Sequence, residues 1–395
     1  MKGITCFRES HAIGGEGQVL RIDVNEAAER LLPEYEGKAR MVYADPPFGT
    51  GGTFEFRRGK TRTAYTDALP KEEYRRLIEN AVRLAHTLLA EDGTFFLHID
   101  PRMSALCRGV CDGIFGEDAF TNEIVWAYRS GGRAKNAFSK KHDVILMYRK
   151  SPEAYFDLTS IGVRRGPERR NHMKRSVDET GRVFYSIKTG GREYRYYEDD
   201  LVYPSDVWDD IEHLHQRDPE RTGFLTQKPE ALMKRMILAA SREGDLVCDL
   251  FGGSGTTASA AAKTGRRFLT LDMGAVANAV TKRRLIERCL KMRLYETSKP
   301  MECECAPGLA DKEVFGPEKY FDIEERAGLA VFTLKKLPVE EEPYYAAAGR
   351  IRGGVFEAED YLLRLKAGEK LVVENGGCLC LVDEELRTGY WLNED

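Results

Sequence analysis

Residues 245–263 constrain the fold of this chain more than any other stretch. An apolar strand from Asp245 to Leu250 runs into Phe251-Gly252-Gly253-Ser254-Gly255 and then into an alanine-rich stretch that ends at Lys263. A strand, a glycine turn and a helix in this order open a nucleotide-binding βαβ unit. The glycines let the backbone come close to a ligand, and a helix N-terminus favours a ligand carboxylate. The sequence therefore predicts an α/β fold with a nucleotide site after this strand.

An acid closes the next strand of the same unit. The apolar segment from Arg267 to Leu271 ends in Asp272, close to the roughly 20-residue offset expected for an acid that binds ribose hydroxyls. Asp249 closes the first strand in the same way. Both carboxylates are thus expected at the carboxyl edge of the sheet.

A second strand ends in an unusual turn, Asp45-Pro46-Pro47-Phe48, after the apolar segment 39–44. Two consecutive prolines make a stiff turn, and a residue before proline is held extended, so the Pro46 carbonyl can point away from the sheet. The Asp45 carboxylate, the Pro46 carbonyl and the Phe48 ring then form a rigid fork. Two acceptors beside an aromatic face suit a planar group with an NH2, such as a nucleobase amine. An ordinary proline-rich turn is the alternative for these four residues taken alone.

Together the two motifs resemble the amino-methylating DNA methyltransferases. In that family Asp-Pro-Pro-Tyr/Phe grips the target amine, and a Phe-x-Gly-x-Gly-type loop binds S-adenosylmethionine. The catalytic motif precedes the cofactor loop here, which is the order of the β class. Thr226-Gln227-Lys228-Pro229 matches the Thr-x-Lys-Pro segment of the family, and Asp23 ends an N-terminal strand, although Ile22 stands where Gly is usual. The resemblance covers roughly residues 15 to 295.

The resemblance implies a Rossmann-like S-adenosylmethionine-dependent methyltransferase sheet and a set of site residues. It assigns Asp45, Pro46, Pro47 and Phe48 to catalysis. It assigns the following to the cofactor: Asp23, Thr226, Lys228, Pro229, Asp249, Phe251, Gly252, Gly253, Ser254, Gly255, Thr256 and Asp272. No metal is expected, because the Cys-x-Cys pairs at 303–305 and 378–380 lack the spacing of a zinc knuckle.

The target base follows from the resemblance alone, because Asp at the first motif position goes mostly with the N6 of adenine. Cytosine N4 stays open, as does methylation of RNA or of a protein amide. A non-catalytic DNA-binding module and a dinucleotide oxidoreductase are further alternatives, and the second does not explain Asp45 to Phe48. The resemblance implies double-stranded DNA as partner, and it allows a homodimer and a cognate restriction endonuclease.

Charge divides the chain into parts. Residues 129–195 carry 17 Lys/Arg and 7 Asp/Glu, whereas residues 301–395 carry 11 basic and 21 acidic residues. We predict a catalytic half at 1–150, a basic target-recognition insertion at 151–224, a cofactor half at 225–298, and a small acidic α+β appendage of unknown role at 299–395. Residues 49–66, rich in glycine and basic side chains, are interpreted as a loop near the base or the phosphates.

Basic side chains in the middle of the chain are the candidates for phosphate contacts. The candidates are Arg129, Arg133, Lys140, Lys141, Arg164, Arg165, Arg169 and Arg170. No apolar run approaches the roughly 18 residues of a membrane span, and nine scattered cysteines are typical of reduced thiols. With the resemblance, these features predict a cytoplasmic protein of bacterial or phage origin that is associated with the nucleoid.

Overall fold

The structure is a computed structural model, and its description covers most of the chain. It describes residues 17–48, 53–58, 60–66, 69–129, 135–167, 173–215, 217–286, 293–295, 320–326, 329–336, 345–351, 356–362, 367–374, 377–382 and 388–392.

A twisted sheet of nine strands forms the centre of the fold. In chain order these are β1 (Gly17–Arg21), β2 (Ala39–Ala44), β3 (Leu89–Ile99), β4 (Phe120–Ala127), β5 (His142–Arg149), β6 (Val207–Trp208), β7 (Leu246–Asp249), β8 (Arg267–Asp272) and β9 (Arg293–Tyr295). Across the sheet they lie in the order β6-β4-β5-β3-β2-β7-β8-β1-β9. Strand β5 is antiparallel to both of its neighbours, and every other neighbouring pair is parallel. The expected α/β class is confirmed.

Six helices cover the two faces of this sheet. They are α1 (Ala27–Tyr35), α2 (Lys71–Leu88), α3 (Ser104–Phe115), α4 (Glu230–Ala240), α5 (Thr256–Lys263) and α6 (Ala275–Ile286). Helix α2 begins after Pro70 and carries Glu72 and Glu73 in its first turn, where acids favour the positive end of the helix dipole. Helix α5 follows Gly255, whose φ of 71° places it in the left-handed region.

Alternate side chains of the central strands enter two separate cores, as the period of two in a strand requires. Met41 and Tyr43 of β2 pack with α4, α5 and α6, for example with Leu232 and Met236. Val42 and Ala44 pack on the other face with α1, α2 and α3. A sheet buried on both faces leaves only its edges for polar chemistry.

The predicted insertion contains two small antiparallel sheets. One has the strands Lys174–Val177, Val183–Thr189 and Arg192–Tyr197, and the other pairs Val163–Arg164 with Leu201–Val202. Strand β6 follows at Val207 and already belongs to the central sheet, parallel to β4. The separate unit therefore spans about residues 163–202, inside the predicted limits of 151–224.

The described part of segment 49–66 is not the loop that the sequence analysis predicted. Thr53–Arg58 and Lys60–Thr66 form an antiparallel β-hairpin. The physical reason is visible in the sequence, because Thr, Phe and Tyr alternate with charged residues on both sides of Gly59, a pattern that favours strands joined by a tight turn.

The region after residue 299 contributes two further sheets. Their strands are Phe321–Arg326, Leu329–Leu334 and Lys370–Glu374 in one, and Tyr345–Ile351, Phe356–Leu362, Gly377–Val382 and Thr388–Leu392 in the other. The described part of this region contains strands and no helix. No helix within the described residues is long and apolar enough to cross a membrane.

Candidate active site

The carboxyl ends of five parallel strands meet at one edge of the sheet. Asp45 follows β2, Asp100 follows β3, Asp249 and Asp272 end β7 and β8, and Asp23 lies two residues beyond β1. A cavity of about 1090 Å³ opens at this edge and is lined by all five carboxylates. Its wall also includes Pro46, Pro47, Phe48, Thr226, Lys228, Phe251, Gly252, Gly253, Ser254 and Thr256. The two motifs identified in the sequence therefore face one cavity.

Asp45 has a cationic partner. The ammonium of Lys228 donates to both carboxylate oxygens, with Nζ to Oδ1 at 2.9 Å and Nζ to Oδ2 at 2.7 Å. The two side chains are only 17% and 11% exposed. The Lys228 Nζ also lies 4.9 Å from the centre of the Phe48 ring. Lys228, predicted as a cofactor residue, thus contacts the predicted catalytic residues.

The segment that carries Lys228 is held by a buried polar network. Gln227, 1% exposed, donates to the Glu220 carbonyl at 2.9 Å and accepts from the Thr222 hydroxyl at 2.8 Å. Arg284, also 1% exposed, contacts Glu220 at 3.0 Å and Glu230 at 2.9 Å. Because a buried ion network that loses one partner leaves an uncompensated charge, these contacts stabilise one arrangement of the segment.

The glycine loop is joined to the same network. The guanidinium of Arg284 donates to Oγ1 of Thr256 at 2.9 Å and to the Ser254 carbonyl at 3.3 Å. The Thr256 hydroxyl in turn donates to the carbonyl of Lys228 at 3.1 Å. Pro229 precedes α4 as its N-cap residue. Residues 226–229 and 252–256 are therefore parts of one rigid unit.

Aromatic and polar side chains form the wall next to Phe48. His98 is fully buried; its Nε2 donates to Asp143 at 3.1 Å, and its Nδ1 lies 2.8 Å from the Tyr43 hydroxyl. The Tyr128 hydroxyl donates to the other Asp143 oxygen at 2.9 Å. Burial acts to raise the pKa of Asp143, but hydrogen bonds and the charge of His98 prevail and lower that pKa to about 2. Asp143 therefore carries a fixed negative charge at this wall.

His213 completes that wall. Its ring stacks on Trp126 with centres 6.0 Å apart and also contacts Tyr128. Burial lowers its pKa, so the imidazole is neutral at neutral pH. Asp143, Tyr128 and His213 were missed in the sequence. Asp143 is the second residue of the antiparallel strand β5, and only the strand direction brings it to the ligand edge.

The glycines of the cofactor loop allow close contacts inside the protein. A Cβ at Gly252 would lie 2.2 Å from Oγ1 of Thr270, and one at Gly255 would lie 2.7 Å from Oγ1 of Thr281. Gly253, with a φ of 50°, would meet nothing closer than Phe224 at 3.6 Å. The loop thus packs tightly on β8 and α6, while Gly253 owes its identity to backbone conformation.

Asp249 and Asp272 are held by backbone N–H groups. Asp249 accepts from Phe251 N at 3.0 Å, and Asp272 accepts from Gly253 N at 2.9 Å and Gly274 N at 2.7 Å. Burial raises the pKa of Asp249 to about 7, against the opposing hydrogen bonds. Burial likewise raises the pKa of Asp272 to about 6. Both acids retain oxygen lone pairs for a ligand hydroxyl.

Asp23 shapes the far end of the cavity. Its Oδ1 accepts from the backbone N and from Nδ2 of Asn25, both at 2.8 Å, and Asn80 donates to Asn25 at 2.9 Å. This end presents amide and carboxylate groups, which suit the edge of a heterocyclic base.

The predicted DNA contacts are placed only in part. Arg129 is exposed and lies 3.7 Å from Glu212, and Lys140 is exposed. Lys141 is half-buried, and its carbonyl accepts from the Tyr128 backbone. Arg164 is exposed on the two-stranded sheet, whereas Arg165 stacks over Tyr196 at 5.0 Å. Arg133, Arg169 and Arg170 lie outside the described residues.

The fold and the cavity define a class of protein. A mostly parallel α/β sheet carries a glycine loop and a carboxylate placed for ribose hydroxyls, and the same cavity contains an acid with two prolines and an aromatic ring. This is the arrangement of an enzyme that transfers a group from a nucleoside cofactor to a planar amine.

The comparison with known proteins identifies the family. The model of a DNA methylase family that groups N6 and N4 methyltransferases matches residues 39–282. The type II methyltransferase M.EcaI of Enterobacter cloacae is 30% identical over 67% of this chain and 69% of its own length. The DNA adenine methyltransferase YhdJ of Escherichia coli is 27% identical over 60% of this chain and 72% of its own length. The chain belongs to the N6/N4 DNA methyltransferase family, as its motifs predicted.

Two solved structures have a similar chain path at low sequence identity. The PvuII DNA methyltransferase, described as cytosine-N4-specific, matches with a TM-score of 0.46 at 16% identity over 71% of this chain and 90% of its own. A complex of M1.HpyAVI with S-adenosylmethionine matches with a TM-score of 0.42 at 16% identity over 68% and 98%.

The cofactor of this family is S-adenosylmethionine, and the residues present fit it. Among the described residues, seven acids line the cavity against one arginine and one lysine. A negative wall suits a cationic sulfonium, and the carboxylate oxygens of Asp272 suit ribose hydroxyls. The volume of about 1090 Å³ also leaves room beside a nucleoside for a second planar ring.

Proposed function

We propose that this protein is a site-specific DNA methyltransferase that methylates the exocyclic N6 of a flipped adenine in duplex DNA. The observation that carries the proposal is the single cavity shared by Asp45 to Phe48 and the glycine loop. The strands β2 and β7 pair directly. The acceptor fork that follows β2 therefore lies next to the glycine loop that follows β7, so the amine and the nucleoside cofactor would bind side by side.

Asp45 and Pro46 orient the amine. The exocyclic nitrogen of adenine is a poor nucleophile because its lone pair is delocalised into the ring. Asp45 accepts one N–H and the Pro46 carbonyl accepts the other, which leaves the lone pair directed at the cofactor. S-adenosylmethionine supplies an electrophilic methyl group when it is bound. The effect of the protein is positioning, together with a negative charge beside the nitrogen as it becomes positive.

The amine must leave the duplex to reach this fork, so the base flips into the cavity. Phe48 supplies a stacking face, and Tyr128 and His213 lie on the cavity wall that it shares. The proton leaves the nitrogen after methyl transfer, and Asp45 passes it to water. This reaction requires no covalent bond between the protein and the base, so none of the buried cysteines takes part.

The cofactor contacts the glycine loop and the acids beside it. Asp272 binds the ribose hydroxyls, Phe251 and the loop 252–256 line the methionine and ribose, and Asp23 contacts the adenine end. This assignment is supported by the placement of Asp23, Phe251 and Asp272 on one cavity wall.

Exposed cations of the insertion contact the DNA backbone. Several arginines of this unit are already paired with acids, among them Arg175 with Glu198 and Arg182 with Asp199. Lys174, Lys188 and Arg192 are exposed and form no ion pair within the described part of the chain. Together with Arg164, they present exposed positive charge, which suits phosphates.

Adenine is favoured over cytosine by two observations. Asp stands first in the motif at position 45, and the relative YhdJ is named a DNA adenine methyltransferase. Cytosine N4 is the second candidate, because the fork would hold either amine. A homodimer and a cognate restriction endonuclease stay predictions. Sedimentation of the purified protein tests the first, and co-purification tests the second.

Transfer of radiolabelled methyl from S-adenosylmethionine to unmethylated bacterial DNA, followed by nucleoside analysis, tests the proposal. We expect the wild type to give label in N6-methyladenine and the Asp45→Ala variant to give none. Label in N4-methylcytosine would overturn the choice of base and keep the mechanism. Absence of label in DNA while cofactor still binds would overturn the proposed function.

A further inference from the structure

The Lys228 ammonium occupies the place where a target amino group must bind. Its Nζ lies 2.9 and 2.7 Å from the two oxygens of Asp45. An N–H donor of the substrate would approach the same carboxylate at roughly 2.7–3.2 Å. Lysine Nζ and the target amine thus compete for one acceptor, beside one aromatic ring, Phe48.

The charges around Asp45 explain why a cation is needed there. Asp23, Glu73, Asp100, Asp143, Asp249 and Asp272 line the cavity with it. Among the described lining residues, the strong cations are Lys228 and Arg76, and Arg76 lies exposed on α2. Carboxylates that share a site repel one another, and an ammonium at hydrogen-bond distance offsets that repulsion. Lys228 is the described cation that touches Asp45.

The backbone at Lys228 is fixed, while its side chain is free to rotate about single bonds. Thr256 donates to the Lys228 carbonyl, Gln227 is buried in hydrogen bonds, and Pro229 leads directly into α4. Departure of the ammonium from Asp45 therefore requires only a change of side-chain rotamer. The lysine can leave the fork without disturbing the glycine loop.

We propose that Lys228 is a positioning residue that acts through Asp45. Before a base enters, its ammonium binds both carboxylate oxygens and holds them at the base pocket. The entering amino group takes over the acceptor positions, and the ammonium moves aside as a counter-charge. This inference rests on the proposed methylation of an amine gripped by Asp45.

The test compares Lys228→Met and Lys228→Arg with the wild type. Initial rates of methyl transfer are measured over a range of concentrations of unmethylated bacterial DNA at saturating cofactor, which separates kcat from KM. We expect Lys228→Met to lower kcat by about 10- to 100-fold and to leave KM for DNA within about twofold, because the loss falls on the orientation of Asp45 in the transition state. Lys228→Arg recovers most of the wild-type kcat, because it keeps a cationic donor beside Asp45.

A matched control is Lys234→Met, which removes an exposed lysine from the same helix, α4. It keeps the wild-type kcat and KM. If Lys228→Met no longer binds S-adenosylmethionine in calorimetry, the neutral polar variant Lys228→Gln is measured in its place, with the same expected loss of kcat. An unchanged kcat in a cofactor-binding variant overturns the inference and leaves the proposed function intact.

A second measurement separates this role from a phosphate contact. Loss of a phosphate-binding lysine reduces the salt slope of DNA affinity by about one. We expect Lys228→Met to keep the wild-type slope, and a reduced slope would overturn the inference. If the wild type labels no DNA, the proposed function is overturned, and this inference is overturned with it.

Discussion

The two sides of the cavity hold their carboxylates in different ways. Asp45, on the amine side, is partly exposed and paired with the side chain of Lys228. On the cofactor side, Asp249 is buried and Asp272 is half-buried, and both accept hydrogen bonds from backbone N–H groups. A side-chain partner can leave when a substrate arrives, whereas a backbone donor stays. The hydrogen-bond partner of Asp45 can therefore be replaced by a substrate, whereas the backbone partners of Asp249 and Asp272 remain in place.

The pKa values of the two cofactor-side acids reflect their surroundings. Burial raises the pKa of Asp249 to about 7 and that of Asp272 to about 6, although backbone hydrogen bonds oppose the rise. The backbone hydrogen bonds of these two acids therefore do not offset the cost of removing the carboxylates from water.

The largest effect is expected from Asp45→Asn, which tests whether the amine side acts only in catalysis. The amide cannot accept with both atoms and has no charge, so kcat should fall by at least about 100-fold, as when one transition-state contact is removed. The Kd for S-adenosylmethionine, measured by calorimetry, should stay within about twofold. A large loss of cofactor affinity would show that the two sides are not separate.

A smaller effect on stability is expected from Gly255→Ala. The new Cβ would lie 2.7 Å from Oγ1 and 3.0 Å from Cα of Thr281, at a φ of 71°. Backbone strain of this kind costs about 1–3 kcal/mol, and the contact with Thr281 adds to it. Thermal unfolding should show a lower Tm and weaker cofactor binding.

Gly253→Ala is the matched variant for that experiment. Its φ of 50° is also left-handed, but its Cβ has room beside Phe224. The loss should be about 1–2 kcal/mol, the cost of the left-handed conformation alone. Equal losses for the two variants would mean that packing on Thr281 contributes nothing.

Asp272→Asn should remove a pH dependence from cofactor binding. The pKa of Asp272 is raised to about 6 in the free protein, so the carboxyl becomes protonated as the pH falls below that value. Ribose hydroxyls donate to the ionised form, so affinity should weaken by up to about tenfold per pH unit below 6. The Asn variant should bind more weakly at pH 8 and show no step near 6. A step that survives in calorimetry would assign it to another group.

The smallest effect per residue is expected at the DNA side. Replacing Lys174, Lys188 and Arg192 by alanine should weaken DNA binding for all sequences alike and reduce the salt slope by about three. Replacing Arg182, which is paired with Asp199, should change the slope little. If the triple variant and the Arg182 variant change the salt slope equally per residue, the phosphate contacts do not depend on whether a cation forms an ion pair.

The sequence by itself determined the α/β class, the strands that end in Asp45, Asp249 and Asp272, and the family. These follow from local patterns, because an apolar strand, a glycine turn and a pair of prolines each act within a few residues. The buried side chains of α2, among them Ile78, Ala81 and Ala85, recur at the spacing of a helix. Such signals need no knowledge of distant contacts.

The tertiary structure alone decided which side chains meet. Lys228 lies 183 positions from Asp45 in the chain, yet the two form the central ion pair of the cavity. Asp143 reaches the ligand edge because β5 runs antiparallel, and Arg284 joins three segments from within a helix. Pairings of this kind depend on strand order and direction, which no local pattern encodes. The physical reason is that an ion pair needs only proximity in space, and proximity is set by the packing of the whole sheet.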